Sequence, residues 1–217
     1  GLNAASAAAG LRQWVTLDLN GDARPDLVLT ADPQNGQVFL GGTQASWHVY
    51  LNTGAAFATA FIAWNVPPGG FSAANENLAQ RRWTTVDLDG DRRPDLVHTT
   101  DPATNLVWNV AGVGNFWAVY RNQAPNGFSP SSVRWLVPPS GLGDGFLDAA
   151  RSSGSRQWAT FDLDGDGFAD LVQTANPATT GTVWTGPVWK LFRAVPCLSL
   201  VLSLALSGAC TKSETAS

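Results

Sequence analysis

Residues 87 to 97, DLDGDRRPDLV, place four aspartates, Asp87, Asp89, Asp91 and Asp95, within nine positions. Two carboxylates about 4 Å apart repel by roughly 4 kcal/mol at an effective dielectric near 20. Such crowding calls for a positive charge among them. The pattern recurs as DLNGDARPDLV from Asp18 and as DLDGDGFADLV from Asp162. A solvated acidic turn, in which Asp serves only its turn propensity, accounts for one copy. It does not account for three copies in one register.

The three clusters head a longer repeat. RQWVTLDLNGD, RRWTTVDLDGD and RQWATFDLDGD align on Trp14, Trp83 and Trp158, which are 69 and 75 residues apart. Counting back from each Trp brings Gly1, Gly70 and Gly145 into phase. Asx-Pro turns follow each cluster at Asp32-Pro33, Asp101-Pro102 and Asn176-Pro177. The reading is therefore repeat one over 1–69, repeat two over 70–144, a truncated repeat three over 145–193 and an unrelated tail over 194–217. In WVTLDL, Val15, Leu17 and Leu19 alternate with Trp14, Thr16 and Asp18, the period of a half-buried strand. DLVLT, WHVYLN and FIAWNV continue the unit, giving about four strands per repeat. Charged residues at 14%, with 22 Gly and 13 Pro, suit short strands joined by turns. Units of this size bury a face only by stacking on neighbours.

Within each cluster the spacing is Asp-x-Asp/Asn-Gly-Asp-x-x-x-Asp. All-oxygen donors at positions 1, 3, 5 and 9 suit a hard cation, and calcium accepts six to eight oxygens in irregular geometry. Magnesium, which demands a near-ideal octahedron, fits less well. Site one takes Asp18, Asn20, Asp22 and Asp26; site two takes Asp87, Asp89, Asp91 and Asp95; site three takes Asp162, Asp164, Asp166 and Asp170. Backbone carbonyls of Arg24, Arg93 and Phe168, at position 7, complete the shells. Up to three Ca2+ are expected, with site one weakest because Asn20 removes a carboxylate. The nine-residue loop lacks the Glu at position 12 of an EF-hand. Eleven of the 17 acidic residues lie in these clusters, and no basic patch suggests nucleic acid as a partner.

Strand, DxDGDxxxDLV, strand, with NTGAAF or NGF downstream, resembles the FG-GAP/VCBS repeat family over residues 1 to about 193. The resemblance implies integrin-α-like β-propeller blades, each four-stranded and each carrying one calcium. The expected fold is all-β, an incomplete β-propeller of two full blades and a partial third. The family resemblance implies an extracellular module for adhesion or carbohydrate recognition, with glycans or cell-surface proteins as partners. The alternatives are a purely structural scaffold within a larger surface protein and, less favoured, a polysaccharide-degrading propeller resembling a lyase. Position 6 departs from the pattern: it is Ala23 and Arg92 in the first two loops, not Gly.

The in-phase tryptophans read chiefly as packing between units. Trp108 and Trp184, aligned with Phe39 beside Gly-rich variable loops (41–46 after Phe39, 111–116 after Trp108), are the better candidates for stacking on a sugar. His48 and His98 occupy non-equivalent places, and no nucleophile motif appears, so no enzyme is expected. The tail, KLFRAVPCLSLVLSLALSGACTKSETAS, has a basic start, an apolar centre and small residues before Cys210. It resembles a displaced bacterial lipoprotein signal, which points to secretion and to Cys210 as a lipid acceptor. A truncated third repeat followed by such a tail reads as a fragment with a fusion or frame error joining two coding segments; a C-terminal anchor and ordinary core strands are the alternatives. A ring takes about four or more blades, so the isolated chain is expected to self-associate.

Overall fold

The computed structural model describes residues 14–67, 83–101, 104, 107–137, 158–173 and 190–192. Among them the chain is all-β, with antiparallel sheets and no helix. The first unit contains β1 (Trp14–Leu17), β2 (Asp26–Leu29), β3 (Phe39–Gly41), β4 (Gln44–Tyr50) and β5 (Ile62–Asn65). β1 pairs with β2, β2 with β4, and β4 with both β3 and β5. His48 has Leu29 and Ala63 as partners, so β2 and β5 lie on opposite edges of β4. Ser46 has Phe39 and Asn65 as partners, so β3 lies on the β2 edge. The sheet is thus a meander of four strand positions, the second of which is interrupted by the turn at Asp32. There the Asp32 carboxylate accepts from the Gln34 N–H at 2.8 Å, an Asx turn that precludes strand pairing.

The second unit repeats this register. It contains β6 (Trp83–Val86), β7 (Asp95–His98), β8 (Trp108–Val110), β9 (Gly114–Tyr120) and β10 (Val133–Leu136). Leu27 faces Tyr50 in the first unit as Leu96 faces Tyr120 in the second, and Trp47 faces Trp64 as Trp117 faces Trp135. The third sheet contains β11 (Trp158–Phe161), β12 (Asp170–Gln173) and β13 (Lys190–Phe192), with Leu171 facing Phe192.

Alternation along each strand sends one face to each neighbouring unit. Val28, Trp47, Val49 and Trp64 of the first sheet form a buried core with Leu96 and Phe128 of the second. Trp47 and Phe128 meet edge to face at 5.3 Å. The opposite face of the second sheet, with Val97, Trp117 and Val119, packs against Ala169 and Leu171 of the third. Among the in-phase tryptophans, Trp47, Trp64, Trp83, Trp117 and Trp135 therefore act as packing between units. Position 2 of the acidic loops shows the same order: Leu19 and Leu88 are buried, whereas Leu163 of the third loop is 49% exposed.

Backbone contacts also join the units. The Phe128 N–H donates to the Asn65 carbonyl at 2.8 Å beside a parallel bridge between Asn65 and Gly127. Two segments expected to be variable loops are the tips of hairpins. Residues 41–46 and 111–116 fold into the β3–β4 and β8–β9 hairpins, turned by Gly42 and Gly112 at φ of 69° and 79°. Trp184, the tail with Cys210, and the repeat starts at Gly1, Gly70 and Gly145 lie outside the described residues. No helix among the described residues is long and apolar enough to cross a membrane.

Candidate metal centre

Each acidic loop spans the connection between the first two strands of a unit, and each folds by one hydrogen-bond scheme. Asp at position 1 receives the N–H groups of positions 4 and 6, and Asp18 receives that of Asp22 as well, at 3.1 Å. Asp18 accepts from Gly21 at 2.9 Å and Ala23 at 2.7 Å; Asp87 accepts from Gly90 and Arg92, both at 2.8 Å. Asp162 accepts from Gly165 at 2.8 Å and Gly167 at 3.0 Å. Asp at position 5 accepts from the N–H of position 7: Asp22 from Arg24 at 2.9 Å, Asp91 from Arg93 at 2.8 Å and Asp166 from Phe168 at 2.9 Å. The scheme needs left-handed backbone at two positions. Position 4 supplies it with Gly, but position 6 places Ala23 and Arg92 at φ of 66° and 68°. The absence of Gly there did not change the loop; it loads strain on two L-residues.

Position 9 differs in kind. Asp26, Asp95 and Asp170 are fully buried. The Asp26 carboxylate accepts from the Leu19 N–H at 3.2 Å and from the Asn52 N–H at 2.9 Å. Asp95 likewise accepts from the Asn122 N–H at 2.9 Å, and Asp170 from the Leu163 N–H at 3.2 Å. Burial raises the Asp26 carboxyl and pushes that of Asp95 up to about 6, outweighing the Asn122 N–H and the Arg121 guanidinium, which pull it down. Through Asn52 and Asn122, Asp26 and Asp95 tie their loops to the ends of β4 and β9.

Asn52 and Asn122 were not singled out by sequence. Their side chains close the loops, donating to the Pro25 carbonyl at 3.0 Å and the Pro94 carbonyl at 3.2 Å. Asn122 also donates to the Leu19 carbonyl of the first loop at 2.9 Å. The available signal was their phase, one residue past Leu51 and Arg121, beyond a strand with matching Tyr50 and Tyr120.

The remaining carboxylates converge. One oxygen from each of Asp87, Asp89 and Asp91 lies within 4.8 Å of the others, and the same holds for Asp162, Asp164 and Asp166. Opposed ligands 2.3–2.6 Å from one calcium ion stand up to about 5 Å apart, so this donor set fits such an ion. In loop two the Asp89 Oδ1 atom is buried without a hydrogen-bond partner, an acceptor of the kind a cation satisfies. Loop one is different: the Asn20 side-chain amide donates to Asp22 at 3.1 Å. The position-7 arginines turn their side chains to position 5, Arg24 to Asp22 at 2.6 Å and Arg93 to Asp91 at 2.5 Å. Phe168 offers no such charge; its ring packs over Gly90 of loop two. Arg93 covers Gly21 of loop one in the same way, so consecutive loops lie side by side.

Of the sugar-contact candidates, Trp108 stacks on Phe116 with centroids 6.1 Å apart and meets the His98 ring edge-on at 5.7 Å. His48 lies between Phe39 and Phe61 at 3.6 and 3.7 Å, and His98 stacks on Trp83 at 3.9 Å. No family model matches the chain, and no curated protein matches it.

Proposed function

We propose that this chain is a calcium-binding module of β-propeller-like repeats, similar to FG-GAP/VCBS blades, which serves extracellular adhesion or carbohydrate recognition and is not an enzyme. One observation carries this reading: three loops share one hydrogen-bond scheme, and in loops two and three it leaves an oxygen from each of positions 1, 3 and 5 within 4.8 Å of the others. Calcium would be held by Asp87, Asp89, Asp91 and Asp95, by Asp162, Asp164, Asp166 and Asp170, and by Asp18, Asn20, Asp22 and Asp26. Its contribution is charge neutralisation, which lets each meander turn tightly from its first strand into its second. Secretion across a membrane, a displaced lipoprotein signal at Cys210, and glycan or cell-surface partners belong to the same proposal. So does self-association: on the third unit Leu163 is 49% exposed where Leu19 and Leu88 are buried, and Phe161 is 48% exposed where Leu17 and Val86 are half-buried.

The test is a thermal melt of the full chain in chelator and in millimolar calcium. At ten times its dissociation constant, each occupied site adds about 1.4 kcal/mol. Expected is a clear rise in melting temperature with calcium; equal melts overturn the reading. A scaffold role without a glycan partner is favoured by the engagement of Trp108 in an internal ring stack. A glycan array run in calcium separates the two, because a scaffold leaves it blank.

A further inference from the structure

In loop two a guanidinium stands among the carboxylates. Arg121 follows β9 directly and places Nη1 2.6 Å from Asp89 Oδ2 and 3.0 Å from Asp95 Oδ2. A single nitrogen thus joins positions 3 and 9. Arg121 is held from a second side, its guanidinium carbon lying 5.4 Å from the centre of the Trp135 ring.

The first unit shows what happens without it. Register makes Leu51 the counterpart of Arg121, since Tyr50 and Tyr120 face Leu27 and Leu96 and the next N–H groups, of Asn52 and Asn122, both reach the position-9 Asp. Leu51 brings no charge, and loop one carries the neutral Asn20 at position 3. In the third unit Phe192 faces Leu171, so Arg193 is the counterpart in sequence and position 3 is Asp164. Residue 3 of the loop and the residue after the strand therefore change together. Asn goes with Leu, and Asp goes with Arg.

We infer that Arg121 is the resident counter-cation of loop two, holding Asp89 and Asp95 together without a metal and competing with one. The competition rests on the calcium reading above; the counter-cation role does not. A bridging guanidinium neutralises one of four loop charges and occupies the space between two of the donors. It satisfies Asp89 Oδ2 but leaves Oδ1 without a partner. A divalent ion at loop two must then displace or repel it, so loop two binds calcium more weakly than its four aspartates suggest.

The experiment uses the full chain in four forms: unsubstituted, Arg121→Leu, Asp89→Asn, and both together. The double form carries the Asn/Leu pair that loop one already uses in a folded unit. In chelator, Arg121→Leu is expected to lower the melting temperature by about 2–4 °C, the shift for roughly 1 kcal/mol in a chain of this length. Adding Asp89→Asn should return part of that loss, because the stranded carboxylate is gone. Calorimetry with calcium chloride should show one site tightened about fivefold or more in Arg121→Leu, as removal of a nearby like charge predicts. Additive losses in chelator, or unchanged or weaker calcium binding in Arg121→Leu where the unsubstituted chain binds, overturn the inference. If neither protein binds calcium while the two losses remain coupled, the calcium reading fails and the counter-cation role stands.

Discussion

Gly127 lies directly against the Asn65 backbone: a β-carbon on it would sit 2.3 Å from the Asn65 nitrogen and 2.4 Å from its carbonyl oxygen. This is the seam between the first and second sheets. Gly127 also has a φ of 110°, which L-residues rarely adopt.

Gly127→Ala must therefore push two backbones apart as well as strain its own. The Phe128–Asn65 hydrogen bond and the edge-to-face contact of Phe128 with Trp47 go with it. A loss of about 3 kcal/mol or more is expected, in the range that disruption of a packed core gives. Denaturant unfolding of the variant checks this; a loss under 1 kcal/mol would mean the sheets do not depend on the seam.

Ala23 and Arg92 hold position 6 in left-handed backbone at about 1–2 kcal/mol each, against a smaller entropic cost for Gly. Ala23→Gly and Arg92→Gly should each stabilise the chain by about 0.5–1 kcal/mol. The carboxylate bonds at these positions come from backbone N–H and survive the change. Melting curves of the two single variants provide the check, and a lower melting temperature in both would show that the side chains matter more than the dihedral.

Asn20→Asp sets a carboxylate beside Asp22 where an amide now donates at 3.1 Å. Both groups are near solvent, so the repulsion is screened and Asn20→Asp should lower the melting temperature only slightly in chelator. In calcium the sign reverses, since an added carboxylate tightens the site. Calorimetry with and without calcium measures both arms. Equal calcium affinity in the variant would show that loop geometry, rather than charge, limits site one.

The buried Asp95 makes stability depend on pH in the metal-free chain. Its folded carboxyl ionises at about 6 against an ordinary 3.8, so the unfolded state loses its proton first as pH rises. The folded state then binds more protons between about pH 4 and pH 6. Its contribution is fully present below that window and is lost as pH rises through it, by at most about 1.4 kcal/mol per unit. Burial raises Asp26 and Asp89 as well, in the same sense. Calcium prefers the ionised carboxylate, so its affinity should climb over the same interval. Urea unfolding at several pH values should show stability falling with pH in stripped protein and a flatter slope in Asp95→Asn. Identical slopes in the two would assign the effect to other groups.

The strands at WVTL, DLVL, WHVY and IAWN were legible in the residues, because period-two alternation is a local signal. So was the acidic loop itself, whose Asp and Gly positions set its turns through bonds spanning five residues or fewer. The third-strand edge was not legible. β3 and β8 are three-residue strands paired through hairpins whose glycines read equally well as loop. Charge placement was also hidden. Nothing near Asp89 in sequence says that Arg121, 32 residues on, supplies its partner; only the register of β7 against β9 brings them together. Asn122 is the clearest case, because its amide reaches Leu19 across 103 positions and across two sheets. Local spacing determined what each loop is. Which cation, which neighbour and which face it meets was decided by stacking, where contacts between units depend on geometry that no single unit contains.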